Sequence, residues 1–222
     1  MDTMPPTTGM ERGASERDAS CNGVLLSWLA SPLGALVAGA TDDGICLLEF
    51  IDERMPEAGL TAVKKSFGGP VIPGSNRHLR LLEAELAGYF AGSLRNFSVP
   101  LACRGTPFQQ RVWEQLLAIP YGETRSYERL AAAVGSPKAV RAVGRANGLN
   151  RISIVIPCHR VINKNGGLCG YGGGLWRKRF LLELERSGGE QRTLPGSMPA
   201  EAGGGRFREA RARRGPQTPG TV

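Results

Sequence analysis

The chain has 222 residues, of which 41% are hydrophobic and 22% charged, and its formal net charge is +8 at pH 7. The length suits one large domain or two small ones, and the composition is that of an ordinary soluble protein with a real core. Residues 101–185 carry 13 basic and 5 acidic side chains, whereas residues 21–100 carry 6 and 8. A basic half is typical of a polyanionic partner, such as nucleic acid or an anionic membrane surface, but equally of a solvated basic face.

The same composition excludes several protein classes. The five cysteines are scattered, none forms a Cys-x-x-Cys pair, and their odd number argues against a disulfide framework. The most apolar stretch, Val24–Ala40, is interrupted by Pro32 and follows an acidic flank, which excludes a membrane span and an export signal. We therefore expect a cytoplasmic, soluble protein that has no membrane partner.

Four parts are distinguished along the chain. Residues 1–20 are polar without an apolar period and predict a disordered head, and residues 189–222, rich in Gly, Pro and Arg, predict a disordered basic tail. Between them we predict an N-terminal α+β domain over residues 21–104 and a C-terminal domain over residues 105–188.

The N-terminal part predicts strands followed by a helix. Val24–Leu29 and Ala35–Ala38 flank the turn sequence Ser31–Gly34, which predicts a hairpin. Ile45–Ile51 predicts a further strand, and Leu79–Phe90 has apolar residues at helical spacings. This unit shows no obvious chemistry.

The C-terminal part predicts well-punctuated helices. Thr106-Pro107-Phe108-Gln109 has a capping Thr, Pro at the first helical position and Gln three residues after the cap, which predicts a helix ending near Ile119. Ile152–Ile156 predicts a short buried strand. A last helix, Leu175–Glu185, is expected to bury the apolar side chains Phe180, Leu181 and Leu184.

Two further helices between these elements form a candidate helix-turn-helix. Ser126 predicts the cap of a helix over Tyr127–Val134, and Ser136 predicts the cap of a helix that runs to about Ala146. A Gly-containing turn joins them, as in DNA-binding helix pairs.

The second helix of this pair carries a basic stripe. Lys138, Arg141 and Arg145 recur at spacings of three and four, so they share one face of a helix. The small residues beside them are Ala139, Ala142 and Ala146. Such a face can lie close to a phosphate backbone, although spacing alone favours a plain surface helix.

Cys158 is the candidate nucleophile, within Pro157-Cys158-His159-Arg160-Val161. A lone cysteine is most often a small core residue. Here Pro157 ends the predicted strand, and the adjoining His159 and Arg160 are expected to favour the reactive thiolate. The Gly-rich stretch 166–174 could let a substrate approach the backbone closely.

This run resembles the active-site signature of the O6-alkylguanine-DNA alkyltransferases. The resemblance is close over residues 100–188 and loose over residues 21–100. Its other matching segments are Pro120-Tyr121-Gly122, Ser126-Tyr127, Arg141-Ala142-Val143-Gly144, Asn147-Gly148, Gly170-Tyr171, Gly173-Gly174-Leu175 and Leu181-Leu182 through Glu185. It implies an α+β fold, with a small ribonuclease-H-like N-terminal domain and a mostly helical C-terminal domain that carries a helix-turn-helix.

The resemblance implies direct-reversal DNA repair without a cofactor. An alkyl group, typically methyl, would move from O6 of guanine or O4 of thymine to Cys158 in one stoichiometric transfer that inactivates the protein. His159 would take the thiol proton through a water, and Glu185 would orient that imidazole. Asn150 would bind backbone around the site. Tyr127 would crowd the 3′ phosphate and could protonate the departing guanine.

The partner that the resemblance implies is double-stranded DNA, bound by a monomer in the minor groove with little sequence specificity. The target nucleotide must be flipped out, and Arg141 would fill the gap that it leaves. The remaining DNA-contacting residues would be Ser126, Lys138, Ala139, Ala142 and Arg145. In the pocket, the backbone of Cys158 and Val161 would bind the guanine edge, with Tyr171 and the Gly172 amide near O6.

Two departures from the family pattern are relevant. Arg151 stands where the family usually has Pro, and it could either loosen the Asn150 turn or add a phosphate contact. Certain members bind zinc in the N-terminal domain, for which Cys21, Cys46 and His78 are conceivable ligands. They lack recognisable spacing, so we expect no metal.

Two other functions compete with repair. A non-catalytic lesion sensor would bind alkylated DNA with Cys158 as a merely structural residue. A cysteine hydrolase is disfavoured because Cys158 and His159 are adjacent, which hinders direct general-base contact, and because no oxyanion-hole signature is present.

Overall fold

A computed structural model describes residues 23–51 and 57–188. The predicted disordered head and basic tail, and Cys21, lie outside these residues. The described part is a mixed α+β fold with six helices and a four-stranded mixed sheet. Within it, no helix is both long and apolar enough to cross a membrane.

The sheet is built on the predicted hairpin, which is confirmed. Its strands are β1 (Val24–Leu29), β2 (Leu36–Ala40), β3 (Ile45–Phe50) and β4 (Val71–Pro73). Their order is β3-β2-β1-β4, with β1, β2 and β3 antiparallel and β4 parallel to β1. The Ser31 hydroxyl donates to the Gly34 carbonyl across the hairpin turn at 2.6 Å, which fixes the register of β1 on β2.

Two helices accompany the sheet. The predicted helix is α2 (Arg77–Phe90), whose N-terminal amides are capped by the side chain of Asn76. Helix α1 (Glu57–Phe67) was not predicted, because only Gly59 and Val63 are buried on it, too few for a helical stripe. Strand β4 was also missed, since its three residues are half-buried or exposed.

The next two helices begin where their caps predict. Helix α3 (Pro107–Leu117) has the complete capping box, in which the Gln109 amide donates to Thr106 and the Thr106 amide donates to the Gln109 side chain. Helix α4 (Tyr127–Ala133) follows the cap Ser126, whose hydroxyl accepts from the Arg129 amide. Both predictions are therefore confirmed.

The predicted start of the following helix is wrong. Helix α5 (Val140–Gly148) begins after Ala139, because the Ala139 amide donates to the Ser136 carbonyl at 2.8 Å and closes a turn there instead. Lys138 therefore precedes the helix and does not share its face. Ala146 is 3% exposed and packs in the core, so it does not lie beside the basic residues either.

The strand predicted over Ile152–Ile156 is also wrong. Only Ile152 makes a bridge, to Leu48, and the chain then turns, with Ile154 at a φ of 71° and the Ile156 amide bonded to the Ile152 carbonyl. The alternation of apolar and polar residues suggested a strand with one buried face, but residues 152–161 are all buried.

The segment that follows the turn carries the signature residues. Cys158–Arg160 forms a short 3₁₀ helix, and β6 (Val161–Ile162) then pairs in parallel with β5 (Arg125–Ser126).

The last helix, α6 (Leu175–Arg186), is confirmed in place but not in all of its buried residues. Leu181 is fully buried, whereas Phe180 and Leu184 are only partly buried. The other buried side chains of α6 are charged, namely Arg177, Lys178 and Glu185. The side of this helix that faces the core is therefore partly ionic.

Candidate active site

The candidate site is formed where three segments meet: the Asn150 turn, the 3₁₀ helix and the end of α6. Cys158 is 6% exposed and packs in the main core, beside Ile156 and Val161. His159 is completely buried, and Glu185 is 3% exposed. The structure thus brings Cys158, His159, Glu185 and Asn150 into one buried cluster.

Asn150 ties the turn to the thiol. Its Nδ2 donates to the Ile156 carbonyl at 2.9 Å, to the Ile152 carbonyl at 3.3 Å and to Cys158 Sγ at 3.2 Å. Its Oδ1 accepts from the Ile152 amide at 2.9 Å. One side chain therefore holds both ends of the Ile152–Ile156 turn and sets the position of the sulfur.

Glu185 receives hydrogen bonds from four residues. Its carboxylate accepts from the Tyr89 hydroxyl at 2.7 Å, His159 Nε2 at 2.9 Å, Arg160 Nε at 2.8 Å and Nη2 at 2.9 Å, and the Gly122 amide at 3.1 Å. Burial alone would raise the pKa of this carboxyl, but the hydrogen bonds and charges of His159 and Arg160 outweigh burial and lower it to about 2. Glu185 is therefore ionised at neutral pH.

The environment of His159 fixes its protonation state. Burial lowers the pKa of its imidazole, and the bond to Glu185 only partly opposes this, so the ring is neutral at pH 7. Its Nε2–H donates to Glu185, which leaves Nδ1 as the unprotonated nitrogen. Nδ1 is buried and has no hydrogen-bond partner among the described residues. The ring is therefore prepared to accept a proton at Nδ1.

The expectation that His159 and Arg160 favour the Cys158 thiolate holds only in part, because a hydrogen bond with the His159 backbone lowers the pKa of the thiol but burial outweighs it. Burial raises the pKa of the Cys158 thiol, because the interior disfavours the charged form. The Asn150 hydrogen bond and the positive charge of Lys178 oppose this rise. The Arg160 guanidinium instead binds Glu185 and the Ile119 carbonyl. The thiol is therefore protonated at rest and needs a base to become nucleophilic.

Lys178 is a site residue that sequence reasoning missed. It is completely buried, and its Nζ donates to the Val161 carbonyl at 2.6 Å and to the Cys169 carbonyl at 2.9 Å. Within Arg177-Lys178-Arg179 it resembles an ordinary solvated cation. Its helical spacing to Leu181 and Glu185, three and seven residues, places it on the buried face and could have revealed it.

A cavity of about 190 Å³ lies beside the thiol. Cys158, Tyr171 and Gly172 line it, as the sequence predicts for the pocket, together with Glu49 and Phe50 of β3, which it could not predict. Tyr171 also packs edge-on against the His159 ring, with centroids 6.4 Å apart. Val161 does not line this cavity, and its carbonyl is bound by Lys178.

Tyr127 is the half-buried first residue of α4. Burial raises the pKa of its hydroxyl, and contact with the Cys169 side chain raises it further, whereas Asn147 lowers it. The tyrosine is therefore a neutral hydroxyl at physiological pH. Its ring packs against Gly144 of α5, where an added Cβ would lie 3.7 Å from the ring.

The predicted DNA-contacting residues are divided between a helix and the turn before it. Arg141, Ala142 and Arg145 are exposed on α5, and Lys138 is exposed in the preceding turn. Ala139 is half-buried at the helix N-terminus, and Ser126 is half-buried as the cap of α4. Arg141 and Arg145, one turn apart, are thus the basic pair that α5 itself presents.

Comparison with known proteins agrees with this arrangement. Residues 107–187 match the family described as 6-O-methylguanine DNA methyltransferase, DNA binding domain. A methylated-DNA–protein-cysteine methyltransferase of Mycobacterium tuberculosis is 63% identical over 103 residues, which is 46% of this chain. The match covers 62% of the length of that relative, which is less than two thirds. The enzyme of the same name from Mycolicibacterium paratuberculosis is 46% identical over 70% of this chain and 88% of its own length. The chain belongs to the methylated-DNA–protein-cysteine methyltransferase family.

Solved structures of this family have the same fold. The crystal structure of the Mycobacterium tuberculosis O6-methylguanine methyltransferase is 44% identical, with a TM-score of 0.64 over 74% of this chain and 93% of that one. A second, of Mycobacterium tuberculosis OGT in complex with DNA, is 45% identical, with a TM-score of 0.62 over 72% and 92%. The mixed α+β architecture of this methyltransferase-family chain is therefore that of its relatives.

Arg151, at the position for which the resemblance implies Pro, has a partner within the chain. Its Nη1 donates to Glu49 Oε1 of β3 at 3.0 Å, and its carbonyl accepts from the Leu48 amide at 2.7 Å. Asn150 keeps its hydrogen bonds to the turn beside it. The Asn150 turn of this family member is thus held without the proline ring.

The residues considered as zinc ligands do not converge in the described part of the chain. Cys46 is buried in the sheet, and burial raises the pKa of its thiol to about 12. His78 Nε2 lies 3.0 Å from the Asp42 carbonyl. Residues 23–51 and 57–188 contain no group of three or more side chains that could hold a metal ion.

Proposed function

We propose that this chain repairs alkylated DNA by direct reversal, transferring a methyl or similar alkyl group from O6 of guanine, and O4 of thymine, to its own Cys158. The observation that carries the proposal is the buried cluster in which Cys158 lies beside a cavity and is followed by the hydrogen-bonded pair His159 and Glu185. A neutral imidazole held by a carboxylate is the means by which proteins activate a weak nucleophile.

The transfer is an in-line displacement at carbon. The bond from Cys158 Sγ to the alkyl carbon forms while the bond from that carbon to guanine O6 breaks, and its electron pair stays on guanine. The thiol proton passes through a water to His159 Nδ1, and Glu185 stabilises the resulting imidazolium. Guanine gains one proton as it leaves, for which the neutral Tyr127 hydroxyl is the donor. The product is a thioether, a poor leaving group, so each molecule acts once.

The proposed partner is double-stranded DNA, bound by a monomer through the minor groove. Helices α4 and α5 would act as a helix-turn-helix, and the small Ala142 between Arg141 and Arg145 suits a groove only about 6 Å wide. Lys138, Ala139 and Ser126 would contact the flanking backbone. Because minor-groove readout is degenerate, such binding has little sequence specificity.

Arg141 is proposed to occupy the place of the flipped nucleotide. It is exposed on α5, whereas the thiol is recessed, so the base must leave the stack to react. Arg141→Ala should therefore slow transfer from duplex DNA much more than transfer from the free O6-alkylguanine base. Equal losses on both substrates would remove this role.

The finer architecture is proposed on the same grounds. Residues 21–104 would form a ribonuclease-H-like domain, and residues 105–188 the domain of the active site and helix-turn-helix. Three antiparallel strands, one parallel strand and a packed α2 are compatible with the former.

The experiment is incubation with an oligonucleotide that carries O6-methylguanine with a labelled methyl group. We expect the label on Cys158, with a plateau at no more than one methyl per chain, and no label on Cys158→Ala. Cys169→Ala is the matched control, because that thiol lies near Tyr127 but is not the proposed acceptor. Multiple turnover, or undiminished transfer to the Cys158→Ala variant, would overturn the mechanism.

The burial that raises the pKa of Cys158 favours one alternative, a lesion sensor that binds without reacting. The same incubation separates the two functions. A sensor would retain the alkylated duplex with no change in protein mass, whereas a repair protein gains the alkyl group at Cys158.

A further inference from the structure

An ion pair forms part of the wall of the cavity beside Cys158. Arg151 Nη1 donates to Glu49 Oε1 at 3.0 Å, and the two side chains are 29% and 15% exposed. The cavity is also lined by Phe50, Tyr171 and the acceptor cysteine. Among the described residues of this wall, Arg151 and Glu49 are the only basic and acidic side chains.

The backbone fixes this pair in position relative to the thiol. The Leu48 amide donates to the Arg151 carbonyl at 2.7 Å, and the Ser153 amide donates to the Leu48 carbonyl at 2.8 Å. Asn150, which directly precedes Arg151 in the chain, donates from its side-chain amide to Cys158 Sγ at 3.2 Å. The Arg151 segment is therefore hydrogen-bonded both to strand β3 and, through Asn150, to the reacting sulfur.

The position of Glu49 disfavours the ionised form of its carboxyl. Burial raises the pKa of its carboxyl, and only the hydrogen bond and charge of Arg151 oppose that rise. Arg151 binds Glu49 through Nη1. A guanidinium carries five N–H donors in a planar fork, so this contact uses only part of its hydrogen-bonding capacity. Arg151 can therefore bind a second carboxylate, or exchange Glu49 for it.

We propose that Arg151 is a specificity-determining residue that favours O6-alkyl groups ending in a negative charge, of which carboxymethyl is the simplest. The inference rests on the proposed function. In such a substrate the carbon bound to O6 is attacked by Cys158, and the carboxylate extends beyond that carbon into the cavity. An unpaired carboxylate would be poorly solvated there, whereas a guanidinium binds it with two parallel hydrogen bonds.

Glu49 acts in the opposite direction in this proposal. It competes with the substrate carboxylate for Arg151, and its own charge repels an anion on the cavity wall. A methyl group makes no use of either side chain. The transfer itself is unchanged: the bond from Sγ to the methylene carbon forms, the bond to O6 breaks with its electron pair left on guanine, and the thiol proton passes through a water to His159.

The test compares two O6 groups of nearly equal shape, carboxymethyl and its uncharged amide, carbamoylmethyl, in the same oligonucleotide. For each protein the ratio of the two single-turnover transfer rates is measured, so that a general loss of activity cancels. Arg151→Gln should lower the ratio of carboxymethyl to carbamoylmethyl transfer about three- to fivefold, as expected for a partly exposed ion pair. Glu49→Gln should raise the ratio, and Arg151→Lys should keep most of it.

An unchanged ratio in Arg151→Gln overturns the proposal, and so does an equal loss on both groups, which would indicate a phosphate contact or a structural role. If Arg151→Gln does not fold, Glu49→Gln decides, because a ratio that fails to rise contradicts the competition. Failure of the underlying function is separate: the unaltered protein would then transfer nothing from O6-methylguanine.

Discussion

Replacing Glu185 by Gln should destabilise the protein and not only impair its chemistry. The carboxylate is buried and is bound by the Arg160 guanidinium through two hydrogen bonds, by His159 and by Tyr89. Gln keeps the shape of the side chain but removes the charge. It also places an NH₂ donor opposite groups that are themselves donors. The Arg160 guanidinium, 7% exposed, would be left buried without its counter-charge.

Two arguments give the same size of effect. Breaking a buried ion pair by removing one partner costs about 3–5 kcal/mol. The same contacts lower the pKa of this carboxyl from 4.5 to about 2 on folding, which corresponds to about 3 kcal/mol of stabilisation at neutral pH. Because the pKa is lowered in the folded state, this stabilisation is complete above the unfolded-state pKa. It is lost as the pH falls through the folded-state pKa.

The assay is chemical denaturation of the unaltered protein and of Glu185→Gln between pH 2 and 7. We expect a difference in unfolding free energy of about 3 kcal/mol at pH 7 that shrinks as the pH falls from about 4.5 to 2. Glu183→Gln, at an exposed position of the same helix, is the matched control and should change little. A difference below about 1 kcal/mol at pH 7, or one that does not change with pH, would refute the reasoning.

Three further outcomes are expected. Asn150→Ala should raise the pKa of the Cys158 thiol and slow alkylation by iodoacetamide at a fixed pH, because it removes the hydrogen bond to Sγ. Lys178→Met should shift the pH profile of that alkylation upward, whereas Lys178→Arg should shift it less, since Lys178 lowers the same pKa. Thr106→Ala should lower the free energy of unfolding by about 1 kcal/mol, measured in urea, because it removes the hydroxyl that accepts from the Gln109 amide at the N-terminus of α3.

Local sequence rules predicted the elements that local chemistry determines. The hairpin around Ser31–Gly34, the capping box of α3 and the cap of α4 depend on residues within four positions of one another, and all are present. The strand expected over Ile152–Ile156 is absent because Asn150 supplies backbone hydrogen bonds that a sheet partner would otherwise provide. A polar side chain thus overrides the apolar pattern that follows it.

Local sequence rules could not predict which residues are hydrogen-bond partners within the site. Local chemistry made Cys158 and His159 candidates, but Glu185 could be named only through the resemblance, and nothing in the sequence links it to Tyr89, 96 residues earlier. Glu49 reaches Arg151 across 102 residues for the same reason, because strand pairing between Leu48 and Ile152 sets the contact. Contacts of this kind depend on the tertiary fold, which local sequence patterns do not determine.

The positive charge of the second half of the chain is divided between the interior and the surface. Arg160, Arg177 and Lys178 are at most 7% exposed and are bound to a carboxylate or to backbone carbonyls. A buried, compensated cation adds little to the field outside, so the attraction for DNA must come from exposed residues such as Arg141 and Arg145. Lys178 instead acts inward, on the acceptor thiol. Salt should therefore weaken transfer from duplex DNA steeply but leave transfer from the free base nearly unchanged, because only the former depends on the screened surface charges.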